Sequence, residues 1–554
     1  MSKIPSLLKI LPRFFLLAIL FYFEQRGFAI DGALTPDEAI ATFQLEPGLK
    51  VELVVAEPMV VDPVALAWDE SGKMFVVEDR GYPVGPGKGN PPVGKIILLE
   101  DSNGDGKYDK RTVFADGLTF PNGVMPWKGG VYVTCAPNVY YFKDTNGDGV
   151  ADVKQIVFKG FQDLSTTQLR VSHPTLNIDN WAYLTSGLTA AKVTSPEHPD
   201  RPAVFLNRVD GRFRPGTDDI EPTAGAAQFG QTFDNFGRKF ICSNRNHIQH
   251  VVMQLEYLKR NPHLAFSDVV QDIPDHGAAC KLFPLSANIT TAASHTGFFT
   301  SACGVLIYDG TALPEKYRGN SFTCEPAGNL VHHDVLSPSN ETFVAKRAYE
   351  DREFIASPDN WFRPVNLTVG PDGALYLCDM YRKTIEHPDY LPEATRKITD
   401  FESGKDKGRI WRIVAASRES AANFSPKEKN QPRSHESQPR LDKANVKELC
   451  AELNNPNRWW RMTAQRLLIE RQDKSAVPIL KSLVKNGKTP EARVHALRIL
   501  EGLGALEEKQ VLIALSDTDP NVREHGIQLA EAFMFGVPPS GGSGAEPPEG
   551  GTPN

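Results

Sequence analysis

The 554-residue sequence lacks three features that would each assign a class of function. It has no Cys-x-x-Cys-His motif, so this chain carries no c-type haem. It has no basic excess, because 61 Lys and Arg stand against 68 Asp and Glu, and the net charge of -7 argues against a nucleic-acid partner. Beyond its first thirty residues it has no apolar run long enough to span a bilayer.

Cysteine is also scarce, with seven residues scattered along the chain. No two of them have the spacing of a metal site, and the spacing does not indicate a particular disulfide. We expect most of them to be small buried hydrophobic residues on strands. They are Cys135, Cys242, Cys280, Cys303, Cys324, Cys378 and Cys450.

The first 29 residues have the composition of a secretory signal peptide. Lys3, Lys9 and Arg13 precede the apolar run FFLLAILFYF (14–23), and the small residues of GFA (27–29) fit a cleavage site. We therefore expect an exported protein, periplasmic or extracellular. An uncleaved signal anchor is the alternative, although the run is shorter than the ~20 residues that span a bilayer.

Two acidic loops have nearly the same sequence, DSNGDGKYD (101–109) and DTNGDGVAD (144–152). Oxygen-bearing side chains occupy positions 1, 3, 5 and 9 of each loop, namely Asp101, Asn103, Asp105 and Asp109, then Asp144, Asn146, Asp148 and Asp152. With glycine at position 6, this spacing follows the first nine positions of the EF-hand calcium loop. Position 12 departs from it, with Thr112 and Gln155 in place of Glu. We predict calcium binding; a hairpin turn rich in Asn, Asp and Gly is the alternative.

A weaker repeat runs through residues 47–415: an apolar stretch, a turn rich in Asp, Gly or Asn, and a strand with an aromatic residue. Its six copies are ALAWDESGKMFVVE from 65, GVMPWKGGVYVTC from 123, LNIDNWAYLTSG from 176, QTFDNFGRKFICS from 231, GVLIYDGTALPEKYRGNSFTCEP from 304 and LTVGPDGALYLCD from 367. Hairpins too small to bury their own apolar face favour radially packed blades. The fold class is therefore mainly β, a six-bladed β-propeller, with a β-sandwich or two smaller β domains as the alternative.

The ends of this region predict how the ring closes. LKVELVVAEP (49–58) and GRIWRIVA (408–415) are two candidate terminal strands of one shared blade. Pairing them would remove the free edges of the sheets.

Beyond residue 415 the pattern changes from strands to helices. Residues 416–442 are polar and predict a linker, and residues 536–554 are rich in Pro and Gly and predict a disordered tail. Between them, residues 443–535 resemble a short solenoid of HEAT repeats, with helices predicted to begin at Asn455-Pro456, Thr489-Pro490 and Asp519-Pro520. For the recurring Arg461, Arg493 and Arg523 we favour a solvated helix face.

The propeller region closely resembles the PVC-type membrane-bound dehydrogenase domain, a bacterial exported family similar to soluble quinoprotein glucose and sorbosone dehydrogenases. The resemblance rests on RGYP (80–83), FTSACGVLIYDG (299–310), YRGNSFTCEPAGNLVHHDVL (317–336), WFRPVNLTVGPDGALYLCDMYR (361–382) and GRIWRI (408–413). It implies a sugar or polyol substrate and a pyrroloquinoline quinone cofactor. Family members commonly end in a cytochrome c module, which this sequence does not contain.

The resemblance also implies roles for individual residues. A dehydrogenase of this type needs a base for the hydroxyl proton, and His173 occupies the matching place. The arginine expected beside the quinone is missing from AAQFGQTFD (226–234), and Arg245 is the candidate substitute.

Other candidates concern cofactor binding. His276 and His295, with Glu325, are candidates for lining the mouth of the propeller. Arg363 and Arg382 could hold an anionic cofactor or be paired internally with Asp359 or Asp379. His332 and His333 do not form a joint metal motif, because neighbours on a strand point to opposite faces.

These observations leave three functions open. The first is an exported enzyme that oxidises a carbohydrate or polyol in the central funnel. The second is a non-catalytic module, stabilised by calcium, that binds carbohydrate in the propeller or a protein partner, such as a separate cytochrome, through the HEAT repeats. The third is a calcium-dependent hydrolase of the lactonase type, for which the sequence shows no central carboxylate cluster.

Overall fold

The computed structural model of the chain describes residues 32–416 and 439–534, apart from residues 104, 106, 165, 262, 264–267, 278–279 and 287–295. The predicted signal peptide, His295, the predicted tail and most of the predicted linker lie outside the described residues.

The strands precede most of the helices in chain order. Strands β1–β28 are Gln44–Leu45, Leu49–Ala56, Pro63–Trp68, Met74–Glu78, Gly94–Glu100, Lys110–Leu118, Gly123–Trp127, Gly130–Cys135, Asn138–Lys143, Val153–Lys159, Ser172–Leu176, Ala182–Thr185, Ala190–Val193, Val204–Asn207, Asp210–Phe213, Ile220–Thr223, Gln231–Phe233, Lys239–Ser243, Asn246–Val251, Val270–Asp272, Cys303–Ile307, Ser321–Glu325, Leu330–Ser339, Thr342–Arg347, Ile355–Ala356, Pro364–Val369, Leu375–Asp379 and Arg409–Ala415. Helices α1–α9 are Pro36–Ile40, Leu255–Lys259, Glu393–Arg396, Val446–Glu452, Arg458–Arg471, Val477–Asn486, Pro490–Gly502, Glu508–Leu515 and Pro520–Met534.

The strands form six radial blades, as the sequence predicts. In order from the axis outward, blade I is β3-β4-β5-β6, blade II is β7-β8-β9-β10, blade III is β11-β12-β15-β16, blade IV is β17-β18-β19-β20, blade V is β21-β22-β23 followed by β25 and β1, with β24 also on β23, and blade VI is β26-β27-β28-β2. A separate hairpin, β13-β14, extends from blade III. The six repeat copies found in the sequence begin on or beside the innermost strands, so the repeat marks the part of each blade that faces the axis.

Blade VI closes the ring. Strand β2 pairs antiparallel with β28 from the other end of the domain, with Leu49 opposite Ala415 and Ala56 opposite Arg409. The predicted pairing of the two terminal strands is confirmed, and it joins the ends of the ring through backbone hydrogen bonds.

The innermost strands pack closely around the axis. At Gly123 of blade II, a Cβ atom would lie 2.4 Å from Pro174 Cδ and 3.0 Å from the backbone nitrogen of His173 in blade III. Only glycine therefore allows β7 to approach β11 this closely. His173 itself has φ of 51°, a left-handed conformation that is unusual for a residue with a Cβ atom.

The C-terminal helices form three successive helical hairpins, α4-α5, α6-α7 and α8-α9. Helix α7 begins as predicted, with Thr489 as the N-cap and Pro490 as the first residue. The prediction for α5 is two residues early, because its N-cap is Asn457, whose side chain accepts a hydrogen bond from the Trp459 backbone nitrogen.

The prediction of a solvated helix face is wrong for Arg461, which is buried, whereas Arg493 and Arg523 are partly exposed. Each guanidinium folds back onto carbonyls of the loop that precedes its helix. Arg461 donates to the carbonyls of Asn455 and Pro456, Arg493 to that of Gly487, and Arg523 to those of Asp517 and Thr518. The repeated arginine thus fixes the loop before the second helix of each hairpin by satisfying backbone acceptors.

Helix α5 lies across the end of the propeller at which the innermost strands finish, and it contacts all six blades. The contacts are Arg466 with Glu70 (2.8 Å), Glu470 with the Lys128 backbone nitrogen (2.9 Å), Gln465 with the Ile178 carbonyl (2.8 Å), Arg461 with Asn235 (2.5 Å) and with Asp309 (2.6 Å), and Trp460 Nε1 with the Pro371 carbonyl (2.8 Å). Ile178 of blade III also belongs to the apolar core of the helices. The helical region is therefore docked onto the propeller axis.

Candidate functional site

The axis of the propeller contains a cavity of about 290 Å³, which we call the axial cavity. All six innermost strands border it, and helix α5 closes one end. Successive side chains of a β-strand point to opposite faces, so every second residue of each innermost strand turns toward the axis and forms this wall. Ala67, Pro126, Leu306, Asn366 and Thr368 remain partly accessible for this reason, although they lie deep in the molecule.

The wall of the axial cavity is mixed in polarity. Its polar members from the propeller are Asn122, His173, Thr175, Gln231, Thr232, Asp309, Asn366 and Thr368. Apolar side chains lie between them, including Trp68, Met125, Leu176, Phe233 and Leu306, and helix α5 adds Arg458, Trp459, Met462, Thr463 and Arg466. An apolar wall with a few placed polar groups is typical of a small-molecule site.

His173 lies in this wall, as expected for a functional residue. Its Nδ1 is 2.9 Å from Ser172 Oγ, and its ring packs edge-on against Phe229 at 4.5 Å between centroids. Burial lowers the pKa of the imidazole to about 4, and a polar contact with Asn366 offsets only part of this decrease. The imidazole is therefore neutral at pH 7, a state in which it can accept a hydrogen bond.

The cavity end beneath α5 carries more positive than negative charge. Asp309 is the only carboxylate among the described residues of the wall. Its carboxylate is bound by Arg461 Nη2 at 2.6 Å and by Arg318 Nη2 at 2.9 Å. A further cation, Arg458, borders the cavity and donates to the Phe233 carbonyl.

Arg458 has no ion pair with any carboxylate of the described residues. Burial lowers the pKa of its guanidinium to about 10, which still leaves it charged at pH 7. The Arg458 side chain is partly buried, and Asp309 and Asp234 act on its charge only through space, so an anion in the cavity would give it a direct partner.

The two arginines predicted to hold a cofactor are bonded internally. Arg382 makes a bidentate pair with Asp62, at 2.5 Å for both oxygens, and donates to the Tyr82 carbonyl. Arg363 donates to the carbonyls of Arg382, Pro326 and Lys383. Both side chains are thus bonded within the protein, but not to Asp359 or Asp379: Arg382 pairs with Asp62, and Arg363 bonds backbone carbonyls.

The remaining predicted residues do not border the axial cavity. Arg245 is exposed in the turn between β18 and β19. Glu325 is buried at the end of β22, where it accepts hydrogen bonds from Thr300 and Ser301. His276 lies between blades IV and V, beside His332 rather than at the axis. Catalytic or cofactor roles for them stay predictions.

The acidic loops join the two outer strands of blades I and II, remote from the axis. Their side-chain oxygens accept local backbone hydrogen bonds: Asp105 Oδ1 from the Lys107 nitrogen at 2.9 Å, and Asp144 Oδ2 from the Gly149 nitrogen at 2.7 Å. Asp109 and Asp152 bind the backbone and hydroxyl of Ser102 and Thr145, respectively. Calcium binding at these loops stays a prediction.

All seven cysteines are buried and free, which fits the expectation of small apolar residues. In the part of the chain that the structure describes, no helix has both the length and the apolar character required to cross a bilayer.

A family model for a domain of unknown function, DUF7133, matches residues 35–417. The chain belongs to this family. The DUF7133 domain thus covers almost the same residues as the resemblance noted in the sequence (47–415). No curated protein matches the chain.

Solved structures similar to the chain include three carbohydrate-related proteins. They are the calcium structure of a family AA12 carbohydrate-active enzyme of Trichoderma reesei (11% identity, TM-score 0.39, covering 70% of this chain and 100% of that one), the pyranose dehydrogenase PQQ domain of Coprinopsis cinerea in its holo form (12%, 0.35, 67% and 97%), and the soluble aldose sugar dehydrogenase of Escherichia coli in its apo form (11%, 0.36, 66% and 99%).

The quinone implied by the sequence resemblance does not fit the residues of the DUF7133 domain. Pyrroloquinoline quinone is a fused aromatic dione with several carboxylates, which need several cations. The donors of Arg363 and Arg382 are already bound within the protein, and Arg466 is paired with Glu70 and Glu470. Among the cations of the axial wall only Arg458 lacks a carboxylate partner within the described residues, so we derive no step through a quinone.

Sequence reasoning missed Arg458 and Trp459 as site residues. Both stand in NPNRWWRM (455–462), which reads as the start of a repeat helix and not as part of a propeller site. The unusual pair Trp459-Trp460 was the available signal, because one tryptophan borders the cavity while the other bonds the Pro371 carbonyl.

Proposed function

We propose that this DUF7133 protein binds one small carbohydrate that carries a carboxylate, such as a sugar acid, in the axial cavity. The observation that carries the proposal is Arg458, a partly buried cation that borders the cavity without a direct ion pair to a carboxylate of the described residues. The ligand carboxylate would pair with this guanidinium, as charge-assisted hydrogen bonds do in other desolvated sites.

The axial cavity is large enough for such a ligand. Its volume of about 290 Å³ is roughly twenty times the ~10–15 Å³ of cavity volume that holds one water molecule. A monosaccharide acid therefore fits within it.

The remaining wall suits the hydroxyl groups of such a ligand. Asn122, Gln231 and Asn366 supply amide donors and acceptors, and Trp459 supplies an apolar ring face. His173 lies in the same wall, and its Nε2, which has no hydrogen-bond partner among the described residues, would accept a hydrogen bond from a ligand hydroxyl group.

Binding is favoured over oxidation by the chemistry of His173. A general base works best when its pKa is close to the working pH. The pKa of His173 is about 4, so the imidazole accepts a hydrogen bond at pH 7 but is a weak base for a hydroxyl proton. Oxidation would also need an electron acceptor, for which the wall offers no set of cations.

Calorimetric titration of the full chain with D-gluconate and with sorbitol tests the proposal, because the two ligands differ at the carboxylate. We expect gluconate to bind, and Arg458→Gln to weaken it by about 10- to 100-fold, the usual loss of a charged hydrogen bond. Sorbitol should bind weakly and be insensitive to this substitution. Arg318→Gln is the matched control, since it removes a nearby guanidinium that binds Asp309 and is not part of the wall.

Two results would contradict the proposal. One is the absence of binding for gluconate and for glucuronate, with no rise in melting temperature at millimolar ligand. The other is dye reduction with a panel of sugars after addition of pyrroloquinoline quinone and calcium, abolished by His173→Ala, which would establish the dehydrogenase instead.

A further inference from the structure

A second cluster of reactive side chains lies away from the axial cavity, between blades IV and V. It consists of His247 on β19, His332 on β23, and His276 and Cys280 on the connection between β20 and β21. One ligand atom of each, an imidazole nitrogen or the thiol sulfur, lies within 4.8 Å of the others. Three separate chain segments therefore converge on one point, which no local sequence motif reveals.

The cluster is buried apart from one edge. His247, His332 and Cys280 are at most 2% exposed, while the His276 side chain is 19% exposed. An ion could thus reach the cluster past His276 and, once bound, be enclosed by the protein.

The imidazoles meet around the carboxylate of Asp334. Its oxygens lie 2.9 Å from His247 Nε2, 3.1 Å from His332 Nε2 and 3.6 Å from His276 Nε2. The last distance is too long for a hydrogen bond, and His276 Nε2 is buried without a hydrogen-bond partner among the described residues. A buried nitrogen in this state requires a partner that protein atoms do not supply.

The opposite nitrogens are held in the manner of metal-binding histidines. His332 Nδ1 is 2.6 Å from Glu353 Oε2, and His276 Nδ1 is 2.8 Å from Asp275 Oδ1. A carboxylate on one ring nitrogen orients the imidazole and leaves the other nitrogen for a metal. Glu353 is itself fixed by the Phe283 backbone nitrogen at 3.0 Å.

We propose that His247, His276, His332 and Cys280 bind one divalent transition-metal ion, with Zn²⁺ as the best match. Three imidazoles and a thiolate suit a borderline-soft ion and not calcium or magnesium, which require oxygen ligands. In a tetrahedral zinc site the ligand atoms lie about 3.3–3.7 Å apart, so a contraction of about 1 Å would complete the coordination. Asp334 supplies a neighbouring negative charge.

Four protein ligands leave no open position, so the ion has a structural role. It ties the connection between β20 and β21, which carries His276 and Cys280, to the third strands of blades IV and V. This site is independent of the axial cavity, and the carbohydrate proposal and the metal proposal can fail separately.

Metal analysis of the full chain tests the site. The protein is stripped with a chelator, loaded with Zn²⁺ and desalted, and zinc is measured by mass spectrometry. We expect one equivalent per chain in the wild type and less than one tenth in the double variant His276→Gln, Cys280→Ser. Glu353→Gln should retain the ligands but weaken affinity by about 10- to 100-fold. Loading with Co²⁺ should give a thiolate-to-metal absorption band that Cys280→Ser removes.

Matched controls come from the same blade. His250→Gln and Cys242→Ser change a buried histidine and a buried cysteine outside the cluster, and both should retain one equivalent. Circular dichroism verifies that each variant is folded. The proposal is overturned if the folded wild type retains no ion, or if the folded double variant still retains a full equivalent.

Discussion

At the scale of single residues, burial keeps several histidines neutral. Burial lowers the pKa of His173 and of His250 to about 4. It also holds the pKa values of His495 and His525 well below the ordinary value. His525 connects the two parts of the chain, because Arg498 Nε donates to its Nδ1 at 2.9 Å while its Nε2 lies 3.0 Å from the Phe236 carbonyl.

These histidines predict loss of stability in acid. In the unfolded chain they take up protons below about pH 6.5. In the folded protein His173 and His250 exclude protons until about pH 4, and burial also keeps His495 and His525 neutral below the ordinary pKa, so stability falls as the pH falls below about 6.5. For His173, with a folded pKa of about 4, the contribution is about 3 kcal/mol. We expect His173→Gln to reduce the difference in unfolding free energy between pH 7 and pH 4, measured by urea denaturation, by about this amount.

The control for this experiment is His198→Gln, because the His198 side chain is 45% exposed. This variant should keep the full pH dependence of the wild type. An unchanged pH dependence in His173→Gln would mean that the imidazole is protonated as easily in the folded as in the unfolded state.

At the scale of elements, the two acidic loops show why composition alone does not separate a calcium site from a turn. In both loops the side chain at position 5 accepts a hydrogen bond from the backbone nitrogen two residues later, Asp105 from Lys107 and Asp148 from Val150. Such turns occur in plain hairpins and also accompany calcium coordination. The oxygen set is common to both interpretations.

The calcium prediction is tested by melting temperature. We expect removal of metal with a chelator to lower it, and Ca²⁺, but not Zn²⁺, to restore the part that depends on these loops. The double variant Asp105→Ala, Asp148→Ala should lose the response to Ca²⁺ and keep any response to Zn²⁺. A wild type that is indifferent to Ca²⁺ would favour the turn.

The helices show a second limit of the sequence at this scale. The N-cap and proline of α7 could be predicted because both act through neighbouring residues. The role of Arg461 could not, since its guanidinium bonds carbonyls five and six residues earlier and the carboxylate of Asp309 in blade V. A helical pattern marks such a position but does not show which partner buries it.

At the scale of the whole molecule, the closed ring of six blades and the helix docked on it form the axial cavity. The repeats predict six blades and the strands that close them, because alternation and turn chemistry are local signals. The cap on the axis was not predicted, because α5 contacts the six blades from a segment that is distant in sequence and through side chains that follow no local motif. Helix α5 closes one end of the channel between the innermost strands and places Arg458 in the wall of the resulting cavity.

The candidate metal site illustrates the same point. Its ligands come from residues 247, 276, 280 and 332, a spacing that matches no local motif. His332 and its neighbour His333 do point apart, as expected of a strand: His332 faces Asp334 and Glu353, whereas His333 Nδ1 lies 2.7 Å from Glu46 Oε1. Only the packing of blade V against blade IV brings His332 to His247.

The most direct test of the account is a crystal structure of the full chain grown with D-gluconate. The account predicts one ligand molecule on the propeller axis, with its carboxylate on Arg458 and its hydroxyl groups toward His173, and a lower occupancy in crystals of Arg458→Gln at the same gluconate concentration. Ligand density at the opposite mouth of the propeller, or an axial cavity filled only with water at saturating gluconate, would contradict it.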